Sequence, residues 1–209
     1  MKNTNSALIE IFDVRIPRAR EKGPLSGRGW QHQGLQLACT YAGTMKLEKF
    51  NAASPAEAVD FLRPCLDIPR WLDELAARRP YSSLADLLAA GRDAANPFTP
   101  AEIDQALSHH PRIGERARGS SAEARLSAAE QAGLGESGAA VAEALAEGNR
   151  TYEEKFGRVF LIRAAGRSRA EILAALTTRL AHTADEEQTI IGQQLREIAV
   201  LRLEGLIST

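Results

Sequence analysis

The fold class is clearest in Asp185 to Leu206, which reads DEEQTIIGQQLREIAVLRLEGL. Asp185 is a typical helix-opening residue, and apolar side chains follow it at helical spacing. The pattern predicts a last helix of about 33 Å at a rise of ~1.5 Å per residue. The apolar residues spread around more of this helix than one core-facing stripe requires. We therefore expect it to be covered on more than one side, most simply by a second copy of the chain.

The composition also indicates a helical protein. The 209 residues include 36 Ala and 24 Leu against 12 Ile and 5 Val, so strong helix formers dominate and β-branched residues are scarce. An all-β or doubly wound fold is thereby excluded. Hydrophobic residues make up 44% and charged residues 25%, which excludes a chain disordered throughout. The sequence predicts an all-α protein with a single domain of about eight helices.

Further helix starts are visible along the chain. Ser82 or Ser83 is expected to cap a short helix that Gly91 ends, and residues 138–155 are expected to be helical with an interruption near Gly148. Three other starts have the capping-box pattern, a serine or threonine three residues before a glutamate. They are Ser54-Pro55-Ala56-Glu57, Thr99-Pro100-Ala101-Glu102 and Ser168-Arg169-Ala170-Glu171.

Residues 1–44 differ from the rest of the chain. They hold six Lys or Arg and three Asp or Glu, a net charge of +3, while residues 45–209 carry −4. From Pro17 to Gly34 no period of 2 or 3.6 residues is present, and the first helical pattern begins directly after Met45. We interpret residues 1–44 as an N-terminal extension outside the core, or as sequence upstream of a natural start at Met45. Residues 45–209 are then the domain.

Charge and cysteine content exclude several classes of protein. A formal net charge of −1 lacks the basic excess typical of nucleic-acid-binding domains. Cys39 and Cys65 form no CxxC pattern and have no neighbouring histidine, so we expect free thiols rather than a zinc site or a disulfide. No apolar run of about 18 residues and no secretory signal pattern is present, so we expect no membrane association and a cytoplasmic location.

The first candidate site segment is Ser108-His109-His110-Pro111-Arg112-Ile113-Gly114-Glu115. It closes the helix opened by Thr99, because Pro111 cannot continue a helix. Adjacent helical side chains diverge by ~100°, so the two imidazoles are poorly placed to share a metal ion. Either both histidines interact with the negative end of the helix dipole, or one imidazole is fixed at a rigid helix end for general acid–base chemistry.

Two more segments carry polar groups. Ser127 and Glu130 have the spacing of a capping box, but with Gln131 they also place a hydroxyl, a carboxylate and an amide where a polar, nitrogen-rich ligand could bind. The segment from Gly148 to Ile162 ends in an apolar run that we expect to be extended and to cross the core. Its backbone groups could face a ligand if no strand pairs with them. Nearby cations are supplied by Arg163, Arg167, Arg169 and Arg179.

Together these segments resemble the decarboxylases of 2-oxo-4-hydroxy-4-carboxy-5-ureidoimidazoline (OHCU), enzymes of urate breakdown. The shared motifs are His-Pro-x-x-Gly, then Ser-x-x-Glu-Gln seventeen residues beyond the histidine, then Asn-x-x-Tyr-x-x-Lys-Phe-Gly. The likeness covers about residues 45–209, including Gly166-Arg167-Ser168 and Arg179-Leu180. Two departures stand out: Arg112-Ile113 replaces the commoner Asp-Leu, and His182 stands where Asn is common.

The resemblance implies an all-helical, dimeric enzyme that needs neither cofactor nor metal and converts OHCU to (S)-allantoin and CO2. By the same likeness, His110 would be the acid–base catalyst and Glu130 the second catalytic residue. Pro111 would form part of the pocket wall. The remaining residues would bind substrate: Ser127 and Gln131 by side-chain hydrogen bonds, Arg158, Val159, Phe160, Leu161 and Ile162 by backbone groups, and Arg179 as a clamp on an anionic group.

Two alternatives stay open on the sequence alone. In a non-enzymatic helical interaction module, all of these residues would be caps or surface pairs. A different cofactor-free lyase or hydrolase could use the same scaffold. The decarboxylase requires His110 and Glu130 to share one polar pocket, whereas the interaction module does not.

Overall fold

The structure is a computed structural model that describes residues 44–108, 110–113, 121–132, 134 and 138–208. Over these ranges the chain forms nine α-helices and two very short strands, so the predicted all-α class is confirmed with one helix more than expected. The helices are α1 (Leu47–Ala52), α2 (Pro55–Leu62), α3 (Pro69–Ala77), α4 (Leu84–Asp93), α5 (Pro100–Leu107), α6 (Ala122–Ala132), α7 (Ala139–Phe156), α8 (Arg169–Arg179) and α9 (Ala184–Leu206). The strands are β1 (Met45–Lys46) and β2 (Ile207–Ser208).

The helices begin where the sequence pattern places them. Ser83 caps α4, and α9 begins one residue before Asp185, because a further capping box joins Thr183 to Glu186. The three capping boxes predicted from sequence are all present, at Ser54, Thr99 and Ser168. Local side-chain chemistry therefore determines most helix starts in this chain.

The capping box of α5 also anchors this helix to α3. The Glu102 carboxylate accepts a hydrogen bond from the Thr99 backbone N–H and two more from Nε and Nη2 of Arg70, at 2.9 and 2.8 Å. The hydrogen bonds from Arg70 lower the pKa of Glu102 to about 2, so the carboxylate is ionised at neutral pH. Fixing α5 in this way also fixes its C-terminal end, where His110 lies.

The ends of the described domain meet. Met45 pairs with Ile207 and Lys46 with Ser208 in a parallel arrangement. Ile207 is buried. The pairing holds the start of α1 against the end of α9. Residues 1–43 lie outside the described part of the chain, so the assignment of 1–44 to an extension stays a prediction.

Two hydrophobic cores organise the helices. The α9 core packs α9 against α3, α4 and α5, and Trp71 anchors it by donating a hydrogen bond from Nε1 to the Gly91 carbonyl oxygen at 2.9 Å. The α7–α8 core lies between α7 and α8; its buried members are Ile113, Leu134, Leu145, Tyr152, Phe160, Ile162, Ala164, Ile172 and Leu176. None of the described helices is both long and apolar enough to cross a membrane.

Two expectations about glycines are wrong. Gly91 does not end α4, which continues to Asp93, and Gly148 does not interrupt α7. Gly148 is a close approach between helices rather than a break: a Cβ there would lie 2.5 Å from Cδ2 of Leu176. Glycine is used at position 148 because Leu176 occupies the space that a side chain would fill. A Cβ on Gly91 would make only ordinary contacts of 3.6 Å with Leu203 and Val200.

The apolar residues of α9 are largely covered by the chain itself. Ile190 and Leu201 are half-buried. The other large apolar residues in and directly after this helix are all buried: Ile191, Leu195, Ile198, Val200, Leu203, Leu206 and Ile207. The breadth of the apolar surface is thus explained by packing on several sides within one chain, and by itself it does not require a second copy.

The close approach at Gly148 can be tested by substitution. Gly148→Ala should lower the free energy of unfolding by about 1–3 kcal/mol, because the new methyl group overpacks the buried Leu176. Gly205→Ala, the same change in α9 with no atom of the described residues within 4 Å of the new methyl group, should be neutral or stabilising by up to about 1 kcal/mol. Urea denaturation of both variants measures the difference, and equal effects would contradict this account.

Candidate active site

His110 lies just beyond the C-terminal end of α5. Its backbone N–H donates to the Leu107 carbonyl oxygen at 3.0 Å, and its ring Nδ1 lies 2.8 Å from the carbonyl oxygen of Ala106. Because a carbonyl oxygen only accepts, Nδ1 carries the proton in the neutral ring and Nε2 keeps the lone pair. The side chain is half-buried, and Nε2 is shielded from solvent. His109 lies outside the described residues.

The segment that follows His110 is tied to α7. Arg112 forms a two-pronged ion pair with Glu153, with N–O distances of 2.5 and 2.6 Å. The Asn149 side chain, 5% exposed, donates from Nδ2 to the Ile113 carbonyl oxygen at 3.1 Å. Pro111 is half-buried between these contacts and His110. Two attachments to one long helix restrict how far the His110–Pro111 turn can move.

Ser127 and Glu130 do not form a capping box. Ser127 lies in the middle of α6, and Ser121 occupies the capping position, its Oγ accepting from the Ala124 N–H at 3.1 Å. The interpretation of the Ser127–Glu130 spacing as a capping box is therefore wrong. Both residues project instead toward one guanidinium, that of Arg202 on α9.

Arg202 is the buried partner of both residues, and the sequence analysis did not single it out. It is 3% exposed, and it donates to both carboxylate oxygens of Glu130 at 2.7 and 3.0 Å and to Ser127 Oγ at 2.9 Å. Burial lowers the pKa of Arg202, but the facing Glu130 carboxylate outweighs this and raises it above its ordinary value. A signal for it existed: Arg202 continues the apolar spacing of Leu195, Ile198 and Ala199, so it is a charge within a core-facing stripe.

The run from Arg158 to Ile162 belongs to no helix or strand, and it begins in a bend at Arg158. Its side chains alternate: Val159 and Leu161 pack against the α9 core, while Phe160 and Ile162 are buried in the α7–α8 core. The run therefore crosses between the two cores, as its apolar pattern predicts. Arg158 ties its start to α5 through an Nε to Asp104 Oδ1 contact of 2.6 Å.

Arg179 is buried in a network of protein groups. It donates from Nε to Glu187 Oε1 at 2.7 Å and from Nη1 to the Leu161 carbonyl oxygen at 2.6 Å, and its guanidinium lies 4.6 Å from the Phe160 ring centroid. The Tyr152 hydroxyl donates to the same Glu187 oxygen. Burial and this hydrogen bond raise the pKa of Tyr152, so the phenol keeps its proton.

His182, a departure from the family pattern, joins this network. Its Nδ1 lies 3.1 Å from the second carboxylate oxygen of Glu187. The hydrogen bonding around Arg179 is thus complete without the asparagine common at position 182. In this arrangement Arg179 positions the carbonyl of Leu161, since its charge is already matched by a buried carboxylate.

The three predicted segments border one hydrophobic core. Ile113 follows His110 by three residues, and Leu134 follows the half-buried Gln131 by three; both belong to the α7–α8 core with Phe160 and Ile162. The structure thereby places the His110 turn, the end of α6 and the 158–162 run around a common centre. Within the described ranges, no group of three or more His, Cys, Asp or Glu side chains is arranged to hold a metal ion.

The chain is similar in sequence to a known family and to several known proteins. The family model described as OHCU decarboxylase matches residues 51–204. A 2-oxo-4-hydroxy-4-carboxy-5-ureidoimidazoline decarboxylase of Haloferax volcanii is 29% identical over 167 residues, which are 79% of this chain and 98% of that protein. The uric acid degradation bifunctional protein TTL of Arabidopsis thaliana is 37% identical over 107 residues, 50% of this chain, and the match spans only 33% of that longer protein.

A solved structure has the same fold. It is the crystal structure of an OHCU decarboxylase in the presence of (S)-allantoin, 26% identical in sequence, with a TM-score of 0.58. The match covers 69% of this chain and 94% of that one.

The buried pair of Arg179 and Glu187 gives a stability prediction. Glu187→Gln should lower the free energy of unfolding by about 3–5 kcal/mol, because it leaves a buried guanidinium without its counter-charge. Glu147→Gln makes the same change in the exposed pair with Arg150 and should cost only about 0–1 kcal/mol. Urea denaturation at pH 7 provides the comparison. A small effect of Glu187→Gln would show that the pair of Arg179 and Glu187 does not stabilise the folded protein.

Proposed function

The chain belongs to the OHCU decarboxylase family, and we propose that it converts OHCU to (S)-allantoin and CO2 with His110 as acid–base catalyst and Glu130 as the second catalytic residue. Membership in a family of enzymes decides against the alternative of a non-enzymatic interaction module. The substrate comes to this chain from the likeness to the relatives named above.

The observation that carries the proposal is the orientation of the His110 ring. The Ala106 carbonyl holds the proton on Nδ1, and Nε2 is left as the basic nitrogen. In this tautomer the unprotonated Nε2 can accept a proton and return it. Positioned proton transfer of this kind typically contributes ~10²–10⁴ in rate.

The chemistry can be carried out by side chains and backbone. The carboxylate leaves from a carbon that bears a hydroxyl and adjoins a C=N bond. When the C–C bond breaks, its electron pair passes into the C=N bond, whose nitrogen takes a proton from solvent, and gives an enol-like intermediate. His110 Nε2 can take the hydroxyl proton and return one to a ring carbon from a single side, which yields one enantiomer. The protein must also hold the carboxylate out of the conjugated plane.

Glu130 is proposed to act from a fixed position. Its carboxylate is held by the two-pronged contact with Arg202, which restricts its rotation beside the substrate. Ser127 is fixed by the same guanidinium, and Gln131 lies about one helical turn further along α6. Both side chains would hydrogen-bond the ureido group. Pro111 would form part of the wall of the pocket.

The 158–162 run is proposed to bind the amide groups of the substrate. Backbone groups from Arg158 to Ile162 lie outside any strand, which leaves them suited to hydrogen-bond a nitrogen-rich ligand. We propose that Arg179 supports this function by holding the Leu161 carbonyl, in place of the anion clamp that the resemblance implies. Its buried partners Glu187 and Leu161 support this change of role.

Residues 1–44 are proposed to lie outside the catalytic domain, and the protein is proposed to act in the cytoplasm as a homodimer. The cytoplasmic location is supported by the cysteine pattern, with Cys65 buried and unpaired. The dimer is supported by the family likeness and by the half-buried Ile190 on α9.

The function is tested with freshly generated OHCU. The protein should produce optically pure (S)-allantoin faster than buffer does. His110→Asn should lower kcat by ~10²-fold or more, because the basic nitrogen is lost. His109→Asn is the matched control and should keep most of the activity. Equal and small effects of the two changes would overturn the role of His110.

The proposed dimer has a separate test. Light scattering at micromolar concentration should give about twice the chain mass of 22.6 kDa. Stable dimers usually bury at least ~1,200 Å² in total, so the mass should not fall on moderate dilution. A monomer mass would rule out the dimer and leave Ile190 as an ordinary half-buried residue.

A further inference from the structure

A pocket lies along α9, on the side of this helix that faces away from Glu130. It has a volume of about 590 Å³, within the range of small-molecule sites. α9 contributes one wall with Arg196, Glu197, Val200 and Glu204, and the end of α4 contributes Arg92. The loop before α8 contributes Arg163 and Arg167.

This pocket and the Glu130 region lie on opposite sides of α9. At ~100° per residue, Arg196, Val200 and Glu204 fall on one face, and Arg202 projects from the face opposite. Arg202 contacts Glu130 on α6, whereas the pocket contains no residue of α6. The inference that follows is therefore independent of the proposed decarboxylase function.

The pocket has an excess of positive charge. Four arginines and two glutamates line it. Arg163 pairs with Glu197 at 3.4 Å, but Arg92, Arg167 and Arg196 form no ion pair with any carboxylate that the structure describes. The Nε atoms of Arg167 and Arg196 are buried and donate to no acceptor among those same residues. Three guanidinium groups are therefore available to one ligand.

Arg196 is held rigidly in this position. It donates from Nη2 to the Ala95 carbonyl oxygen at 2.9 Å, and its guanidinium lies 3.8 Å from the centroid of the Phe98 ring. Burial and the positive charge of Arg70 lower the pKa of Arg196. Burial and Arg70 therefore disfavour the charged form of Arg196, and an anion bound in the pocket would stabilise that form.

We propose that this pocket binds a small dianion, a molecule with two phosphate or carboxylate groups on a compact carbon or phosphoanhydride body, through Arg92, Arg167 and Arg196. A guanidinium presents a planar fork of N–H donors that matches phosphate and carboxylate oxygens. Val200 and Leu201 give the pocket an apolar floor against which the body of the ligand would pack.

The test is calorimetric titration of the full chain with pyrophosphate and, separately, with succinate, at constant ionic strength set by NaCl. The two anions distinguish a phosphate ligand from a dicarboxylate ligand. The double variant Arg92→Gln, Arg167→Gln should raise the Kd of the bound anion tenfold or more. Arg63→Gln, an arginine change directly after α2 and outside the pocket, is the control and should leave the Kd unchanged.

The site is supported if either anion binds and its Kd rises in the double variant but not in Arg63→Gln. Two results would overturn it: neither anion binds, or Arg63→Gln weakens binding as much as the double variant does. Thermal unfolding of each variant shows that the fold is kept.

Discussion

The guanidinium of Arg202 connects more of this molecule than any other described side chain of α9. It lies 3% exposed between α9, α6 and the turn after α2, where the carbonyl oxygens of Pro64 and Cys65 also face it at 3.3 and 3.5 Å. A buried cation is tolerated only when its charge and donors are matched. The need to match Arg202 fixes the position of Glu130, and through Glu130 it fixes α6 against the last helix.

The same constraint acts on the other side of the site. Arg179 is matched by Glu187 and by the Leu161 carbonyl, which fixes the 158–162 run between the two cores. Glu102 and Arg70 hold α5, and with it the helix end that precedes His110. Three arginine–carboxylate contacts thus hold the three segments that we assign to the substrate. A site that works with side chains and backbone alone depends on such rigidity, because its groups must already be placed when the substrate binds.

The sequence predicted what depends on local chemistry. A serine or threonine before a glutamate caps its own helix, so Ser54, Thr99 and Ser168 could be read directly. The same spacing misled at Ser127, because the partner that decides its role is 75 residues away in sequence. Gly148 was misread for the same reason, since its purpose is to admit Leu176 of α8. The order of the motifs identified the family and the candidate catalytic histidine. It did not identify the buried charges that position the site, because a local sequence pattern does not indicate which distant group balances a charge.

Two arginines of α9 show the difference between a structural charge and one directed at a ligand. Arg202 has a carboxylate, a hydroxyl and backbone carbonyls around it, so its charge is balanced within the chain. Arg196, six residues earlier, is held by a carbonyl oxygen and an aromatic ring and has no carboxylate partner in the described part of the protein. Ring and carbonyl fix its orientation without neutralising it. A charge that is oriented but not neutralised favours an anion from outside the chain, and this is the physical ground for treating α9 as the wall between two separate sites.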